Sequence, residues 1–515
     1  MRHTPSIVKG TAILTAAGFL IKICGAIYRI FLSRMIGPEG IGLYQMAYPV
    51  YLIFLSLSTA GIPIAISKIV AEKVTIGDRA GIKGVFNGAL TLLFGLGVTF
   101  SIGMAVSGNW VATHLVADPR AVYAIWALAP AIFFMSIMAV FRGFFQGWMD
   151  MKPSAYSQMF EQVVRVAVSL ILASLLLKNG IEHAAAGAAF GATAGGLSGL
   201  SYLIYKYFKI RPALRIYNKD SKKSSVWSEI KRLVKFALPI SIAVILMPLL
   251  QTLDSILVPN LLQKVGYTIQ QSTTMLGLLG NSWAVIYLPL IVTGAIAANL
   301  VPVIAAVRTS NNKVLLEKKI VEGLRLALIY LIPATVGLFT FGTTIYRIIY
   351  GQAGVALLSW FAPAVLFLGV EQVTAAVLQG LGKPKWPLLT FIAGALVKII
   401  VTVFTTKLPG LNLAGAALGT VVGAGITALL NLIKIKTLLN YQLPNKLALF
   451  ISGGIMFLGC RILQRKILLA PIGQLLLLGM IGLLLYIIAL VLLGGISNQD
   501  LELFHGFLRK KGKTI

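Results

Sequence analysis

Acidic residues are scarce. Of 515 residues only 15 are Asp or Glu, and charges of both signs make up 12% of the chain. A soluble domain covers its surface with roughly a quarter of its residues charged. A chain that is 58% hydrophobic, with mean hydropathy +0.88, is instead expected to turn its outer surface to lipid. Cysteine is nearly absent too. Cys24 and Cys460 lie far apart in apolar stretches, so neither a disulfide framework nor a thiolate metal cluster is available. The histidines, His3, His114, His183 and His505, form no metal-binding pair. No cofactor is expected, leaving only Na+ or H+ as a coupling ion. Long hydrophilic segments are missing as well, which leaves no room for an appended ATPase or catalytic domain. No Ser-His-Asp or paired-carboxylate constellation can be assembled from loops this short, so the chain does not read as an enzyme. The stretch ending in Gly512-Lys513-Thr514 has the wrong spacing for a phosphate loop and no strand before it.

What is present is apolar sequence in long runs. A bilayer-spanning helix needs ~20 mostly apolar residues for a hydrocarbon core of ~30 Å. Fourteen such runs occur, centred near Phe19, Phe54, Phe94, Phe133, Leu170, Leu197, Ile245, Leu290, Tyr330, Leu366, Phe391, Val422, Gly454 and Leu483. Backbone groups must satisfy themselves in lipid, so these are helices. The short alternating segments of an outer-membrane barrel are absent. The first run carries Lys22 and Arg29 in its interior, unlike a cleavable secretion signal.

The net charge of +30 would suggest nucleic acid in a soluble protein. Here most of the basic residues fall in loops on one side, densest between Lys206 and Lys235. That asymmetry reads as topogenic charge and places both termini in the cytoplasm of a multi-pass cell-membrane protein, with no nucleic-acid partner. Arg461, Arg465 and Lys466 dissent, falling on the opposite side.

An internal repeat is visible. Gln146-Gly147, Lys152-Pro153 and Val164-Arg165 are echoed by Gln379-Gly380, Lys383-Pro384 and Val397-Lys398. From Gln146 to Arg165 and from Gln379 to Lys398 the interval is nineteen residues, although the Lys-Pro step is displaced by two. Each copy joins the fourth and fifth span of a six-span set, and an even number of spans makes the repeat parallel. The expected fold is therefore an all-α polytopic membrane protein with two pseudo-symmetric six-helix lobes and two C-terminal helices. Residues 1–210 form the first lobe, 211–230 a basic cytoplasmic linker, 231–440 the second lobe, 441–497 the last two helices, and 498–515 a basic cytoplasmic tail.

Ionisable groups at bilayer depth cost ~2.5–3.5 kcal/mol each on insertion scales, which makes them candidates for function. The first lobe holds Lys22, Arg29, Glu161 and Arg165; the second holds Asp254, Glu371 and Lys398. Arg34 and Arg142 lie nearer span ends, within snorkelling reach of the interface. Lys22 and Arg29 are two turns apart on one helical face, about 10 Å by helical rise, with no acid on that helix. An arginine fork matches phosphate and a lysine supplies a point charge. Glu161 and Arg165 are four apart and can pair, so they read equally as a structural ion pair or as part of a site. Lys398 has the same two readings, since a salt bridge to Asp254 is open to it. Asp254 lies among Gln251, Thr252 and Ser255, oxygens suited to Na+ or proton exchange. The cationic first lobe would hold an anionic substrate through Lys22, Arg29 and Arg165, and the acidic second would couple a cation through Asp254 and Glu371.

Two motifs carry a family resemblance. Ile36-Gly37-Pro38-Glu39-Gly40-Ile41-Gly42-Leu43-Tyr44 and Ser58-Thr59-Ala60-Gly61-Ile62-Pro63-Ile64-Ala65-Ile66-Ser67-Lys68 resemble the polysaccharide transport branch of the multidrug/oligosaccharidyl-lipid/polysaccharide exporter superfamily. Leu249-Leu250-Gln251-Thr252-Leu253-Asp254 and Leu378-Gln379-Gly380-Leu381-Gly382-Lys383-Pro384 extend the likeness along the chain. The resemblance implies two lobes that alternate access, and a substrate built of sugars on an undecaprenyl phosphate or pyrophosphate, with lipid II the leading candidate. It implies a role in cell-wall or spore-cortex synthesis, with cell-wall synthesis proteins as further partners. It also implies cavity-facing cations on the first helix. Lys22 stands at the first such position, Tyr28 stands where the next arginine is expected, and Arg29 follows one residue later. A last helix pair forming a lipid-tail groove is implied too. Against this flippase stand a cation-coupled multidrug exporter of the same superfamily, which would prefer an acidic cavity, and two readings of another class. A membrane glycosyltransferase or polymerase would want acidic catalytic residues in outer loops, and an envelope-assembly scaffold would leave the buried cations unexplained.

Overall fold

The structure is a computed structural model that describes residues 7–59, 61–215, 226–310, 312–351, 356–439, 445–467 and 469–495, with backbone alone in parts of the first, sixth and seventh helices. All regular structure among the described residues is helical. The chain divides into two compact units, Met1–Asn281 and Ser282–Ile515.

The first unit holds α1 (Ile7–Thr59), α2 (Ile62–Thr75), α3 (Arg79–Trp110), α4 (Ala121–Gly147), α5 (Lys152–Leu176), α6 (Ile181–Arg215), α7 (Val226–Lys264) and the beginning of α8 (Ile269–Thr309). Two spans are joined within α1. Gly37 sits at φ 68°, ψ 179°, a conformation that a side chain resists, and Pro38 opens the second arm with its φ preset for a helix. A second break falls at Gly61, φ 72°. The second unit holds the rest of α8, then α9 (Lys313–Tyr350), α10 (Leu357–Phe361), α11 (Pro363–Gly380), α12 (Lys385–Thr405), α13 (Leu413–Leu438), α14 (Lys446–Lys466) and α15 (Pro471–Leu492). Eleven helical stretches among the described residues are long and apolar enough to cross a membrane. With the first stretch divided at Gly37, and with α6 and α7 added, the fourteen expected spans are present. Helix α10 is a short lead into α11, and the last two spans are α14 and α15.

Close helix packing follows from small residues. On α6, Gly187, Gly191, Gly195 and Gly199 recur every fourth position and face α5. A Cβ at Gly187 would come within 2.8 Å of Leu172 backbone, and one at Gly195 within 2.6 Å of the Glu161 carbonyl. Their absence lets the two backbones touch, which in lipid supplies the dispersion contact that holds helices together. The second unit repeats the device. On α13, Gly415, Gly419 and Gly423 face α12 at Thr405, Thr402 and Lys398. In each unit an intramembrane cation, Arg165 or Lys398, lies against this glycine ladder.

Polar ties secure the two ends of the first unit. At one end Arg120 pairs with Glu39 at 2.5 Å and with the fully buried Asp118 at 2.8 Å, and Asp118 accepts from Thr273 Oγ1 at 2.6 Å. Arg120 lies in the turn before α4, and the Asp118 carboxylate beside it, with Glu39 adding to the effect, holds its guanidinium charge more firmly than usual. At the other end Lys73 reaches Asp78 at 3.0 Å and Glu229 at 3.5 Å. Asp78 caps α3 through the Gly81 N–H at 2.8 Å. That bond, with Lys73, holds its carboxyl below the ordinary aspartate value.

Candidate functional site

The site lies inside the first unit, where α1 passes α5 and the start of α8. Arg29 stands on the first arm of α1, about 12 Å by helical rise from the break at Gly37. Its Nε and Nη2 are buried and find no hydrogen-bond acceptor among the described residues. What lies beside the guanidinium is another donor. A Cβ built on Gly280 would come within 2.8 Å of both Arg29 Nη2 and Gln45 Nε2, so glycine there leaves room for both groups.

Arg165 lies midway along α5 and donates from Nη2 to Glu161 Oε1 at 2.6 Å. The other oxygen of Glu161 takes Arg142 Nη2 from α4 at 2.9 Å, and Arg142 Nε donates to Ser157 Oγ at 3.0 Å. One carboxylate thus serves two guanidiniums, all three side chains less than a fifth exposed. Arg165 Nε is left buried without an acceptor among the described residues. The hydroxyls of Tyr44, Tyr48 and Tyr51 fall within electrostatic reach of Arg165. Those of Tyr28 and Tyr44 lie within reach of both Arg29 and Arg165. Gln162 closes the gap to α1, with its Nε2 3.7 Å from where a Cβ of Gly25 would be. With Glu161 balancing one arginine, Arg29, Arg142 and Arg165 leave the pocket net cationic in a span region, where charge is expensive.

The remaining sequence candidates are placed as follows. Lys22 is on α1, and its side chain lies outside the described residues. Asp254 is half-buried on α7. Its neighbour Ser255 is 3% exposed and spends its hydroxyl on the Gln45 carbonyl at 2.9 Å, and the side chain of Gln251 lies outside the described residues. Glu371 is half-buried on α11, and its carboxylate has no ion-pair partner among the described residues. Next to it Gln372 accepts from Thr293 Oγ1 at 2.7 Å. Lys398 Nζ lies 5.8 Å from the Trp283 ring centre. The structure therefore brings Arg29, Glu161 and Arg165 together in one unit.

Two features of the site escape a reading by sequence. Arg142, near a span end and apparently free to reach the interface, is held inward by Glu161. The tyrosines at 44, 48 and 51 are one helical face by spacing, but only the fold puts that face on Arg165.

Comparison with known proteins gives the same architecture. The inward-closed lipid II flippase MurJ superposes with a TM-score of 0.70 at 15% identity, over 93% of this chain and 98% of that one. An inward-facing multidrug resistance MATE transporter of the MOP superfamily gives 0.66 at 17% identity, over 81% and 95%. By sequence, the chain is 32% identical to stage V sporulation protein B of Bacillus subtilis (strain 168) over 82% of each chain. It is 27% identical to lipid II flippase MurJ of the same organism, over 89% of this chain and 88% of that one. The family model described as polysaccharide biosynthesis protein matches residues 7–307. The chain is a multi-pass membrane protein belonging to the polysaccharide biosynthesis protein family.

Proposed function

We propose that the chain is a flippase that carries a sugar linked to a polyprenyl phosphate or pyrophosphate, of the lipid II class, across the cell membrane by alternating access, with both termini in the cytoplasm. One observation carries this reading. Arg29 Nε and Nη2 are buried in a span and lack acceptors among the described residues, close to an arginine pair that a single carboxylate cannot neutralise. A site built this way is completed by an anion with several acceptor oxygens, which is what a pyrophosphate offers. Lys22 would join it from two turns below Arg29. Relatives named as a lipid II flippase and a sporulation protein support the class.

An apolar tail also needs a place. In the second unit a cavity of about 330 Å³ lies between α9, α11 and α14, lined by Phe339, Leu366, Phe450 and Phe457 among others. Its carbon lining supports binding of a hydrocarbon chain. Coupling to a cation would fall to Asp254 or Glu371, the latter a carboxylate unpaired among the described residues and set in an apolar helix.

The MATE-like fold keeps a second reading open, export of lipophilic cations. A cationic pocket repels that cargo. Purified protein in liposomes decides between the two: movement of a fluorescent undecaprenyl-pyrophosphate sugar without export of a cationic dye is expected, and the reverse pattern overturns the proposal.

A further inference from the structure

Tyr44, Tyr48 and Tyr51 follow one another at four and three residues on the second arm of α1, so they share a helical face. The rings of Tyr44 and Tyr48 stack at 5.4 Å with 16° between their planes, and Tyr48 meets Tyr51 at 5.6 Å. Tyr51 is 1% exposed and forms the floor. Tyr44 and Tyr48 are only half-buried and remain accessible. All three hydroxyls point to within electrostatic reach of Arg165.

This ladder is more than the anion site requires. A phosphate needs cations and N–H donors, which Arg29 and Arg165 offer. It has no use for aromatic faces. Nor does packing explain the polarity of the surroundings. Gln45 Nε2 comes beside Arg29 at Gly280, and Gln162 Nε2 beside Gly25 on the first arm of α1, two uncharged amides in a span where every polar group needs a partner. Neutral donors and acceptors beside accessible aromatic rings match a polyol. The C–H face of a pyranose carries slight positive charge and settles on the negative face of an aromatic ring, while its hydroxyls bond to phenol and amide groups.

We infer that the Tyr44–Tyr48 face, with Gln45 and Gln162, is a sugar subsite that receives the pyranose next to the phosphate of the carrier. The inference rests on the anion-site reading above and deepens it. It assigns discrimination between glycosylated and bare carrier to the tyrosines, while the arginines hold what the two carriers share. The geometry is economical, because a sugar esterified to a phosphate lies one bond from the anion, and the ladder's hydroxyls lie within electrostatic reach of Arg165.

The test compares binding of undecaprenyl pyrophosphate with that of the same carrier bearing one N-acetylated hexosamine, in detergent, for wild type, Tyr48→Leu, Tyr44→Leu and Tyr48→Phe. The wild type is expected to prefer the glycosylated carrier. Each leucine variant should cut that preference about fivefold, the scale of one aromatic contact, mostly by weakening the glycosylated carrier. Tyr48→Phe restores the ring and should recover most of the preference. Binding of the bare carrier also reports that each variant is folded. Equal losses for both carriers, or an unchanged ratio in both leucine variants, overturns the sugar subsite and leaves the anion site standing. Failure of the wild type to bind either carrier overturns both.

Discussion

At the residue scale the central feature is a shortage of carboxylate. Glu161 is shared between Arg142 and Arg165 at 2.9 and 2.6 Å, and Arg29 Nε and Nη2 have no acceptor among the described residues. Removing one partner of a buried pair leaves uncompensated charge, which costs about 3–5 kcal/mol, more than the pair itself contributes. Glu161→Gln should therefore destabilise the protein by about 3 kcal/mol. Arg165→Gln added to it should recover part of that loss, because one of the two stranded cations is gone. A thermal-unfolding double-mutant cycle measures the coupling, and strictly additive effects would show that the pair is not coupled. Arg29 and Arg165 stand out in sequence because a cation in an apolar run is conspicuous. Arg142 does not, because its distance from the span end permits an escape that only the position of Glu161 on the neighbouring helix forecloses.

At the element scale the spans were legible and their contacts were not. Runs of apolar residues identify helices directly, since lipid leaves the backbone no alternative. The repeat was legible in outline from Gln146–Arg165 and Gln379–Lys398. Its physical content, a cation set against a glycine ladder on the next helix, depends on which face of α6 and α13 turns inward. Glycines are common throughout the membrane helices, which hid the four-residue period at 187, 191, 195 and 199. The polar ties at the ends of the first unit were equally hidden, because Glu39 and Thr273 lie far in sequence from the Asp118–Arg120 pair they meet. Short-range capping is the exception. Asp78 accepts from the Gly81 N–H three residues on, and Asp78→Ala should cost about 1 kcal/mol. The folded carboxyl titrates below its ordinary value, so its contribution is full at neutral pH. It fades as pH falls below the ordinary aspartate value and is gone once the folded group is protonated. Unfolding curves of the two proteins should converge in acid. A gap that persists or widens there would assign the effect to something other than the charge.

At the scale of the whole molecule, function is a matter of which charge each unit keeps in the membrane. The first unit retains an excess of cations beside α1. The second retains Glu371 on α11 and an apolar cavity bounded by α9, α11 and α14. An anionic headgroup with a hydrocarbon tail is a cargo that makes sense of all three. The family, shown by the match over residues 7–307, fits that cargo, and the proposed sugar subsite would give Tyr44 and Tyr48 the task of telling a glycosylated carrier from a bare one. The most direct measurement is transbilayer movement of a fluorescent undecaprenyl-pyrophosphate sugar in proteoliposomes, comparing wild type with Lys22→Ala/Arg29→Ala. The account predicts movement by the wild type and at least a tenfold slower rate in the variant, on the scale of losing charge-assisted bonds of about 1.5–3 kcal/mol each, with both proteins equally folded. Equal rates would contradict it, because the buried cations of the first helix would then have no part in holding the substrate.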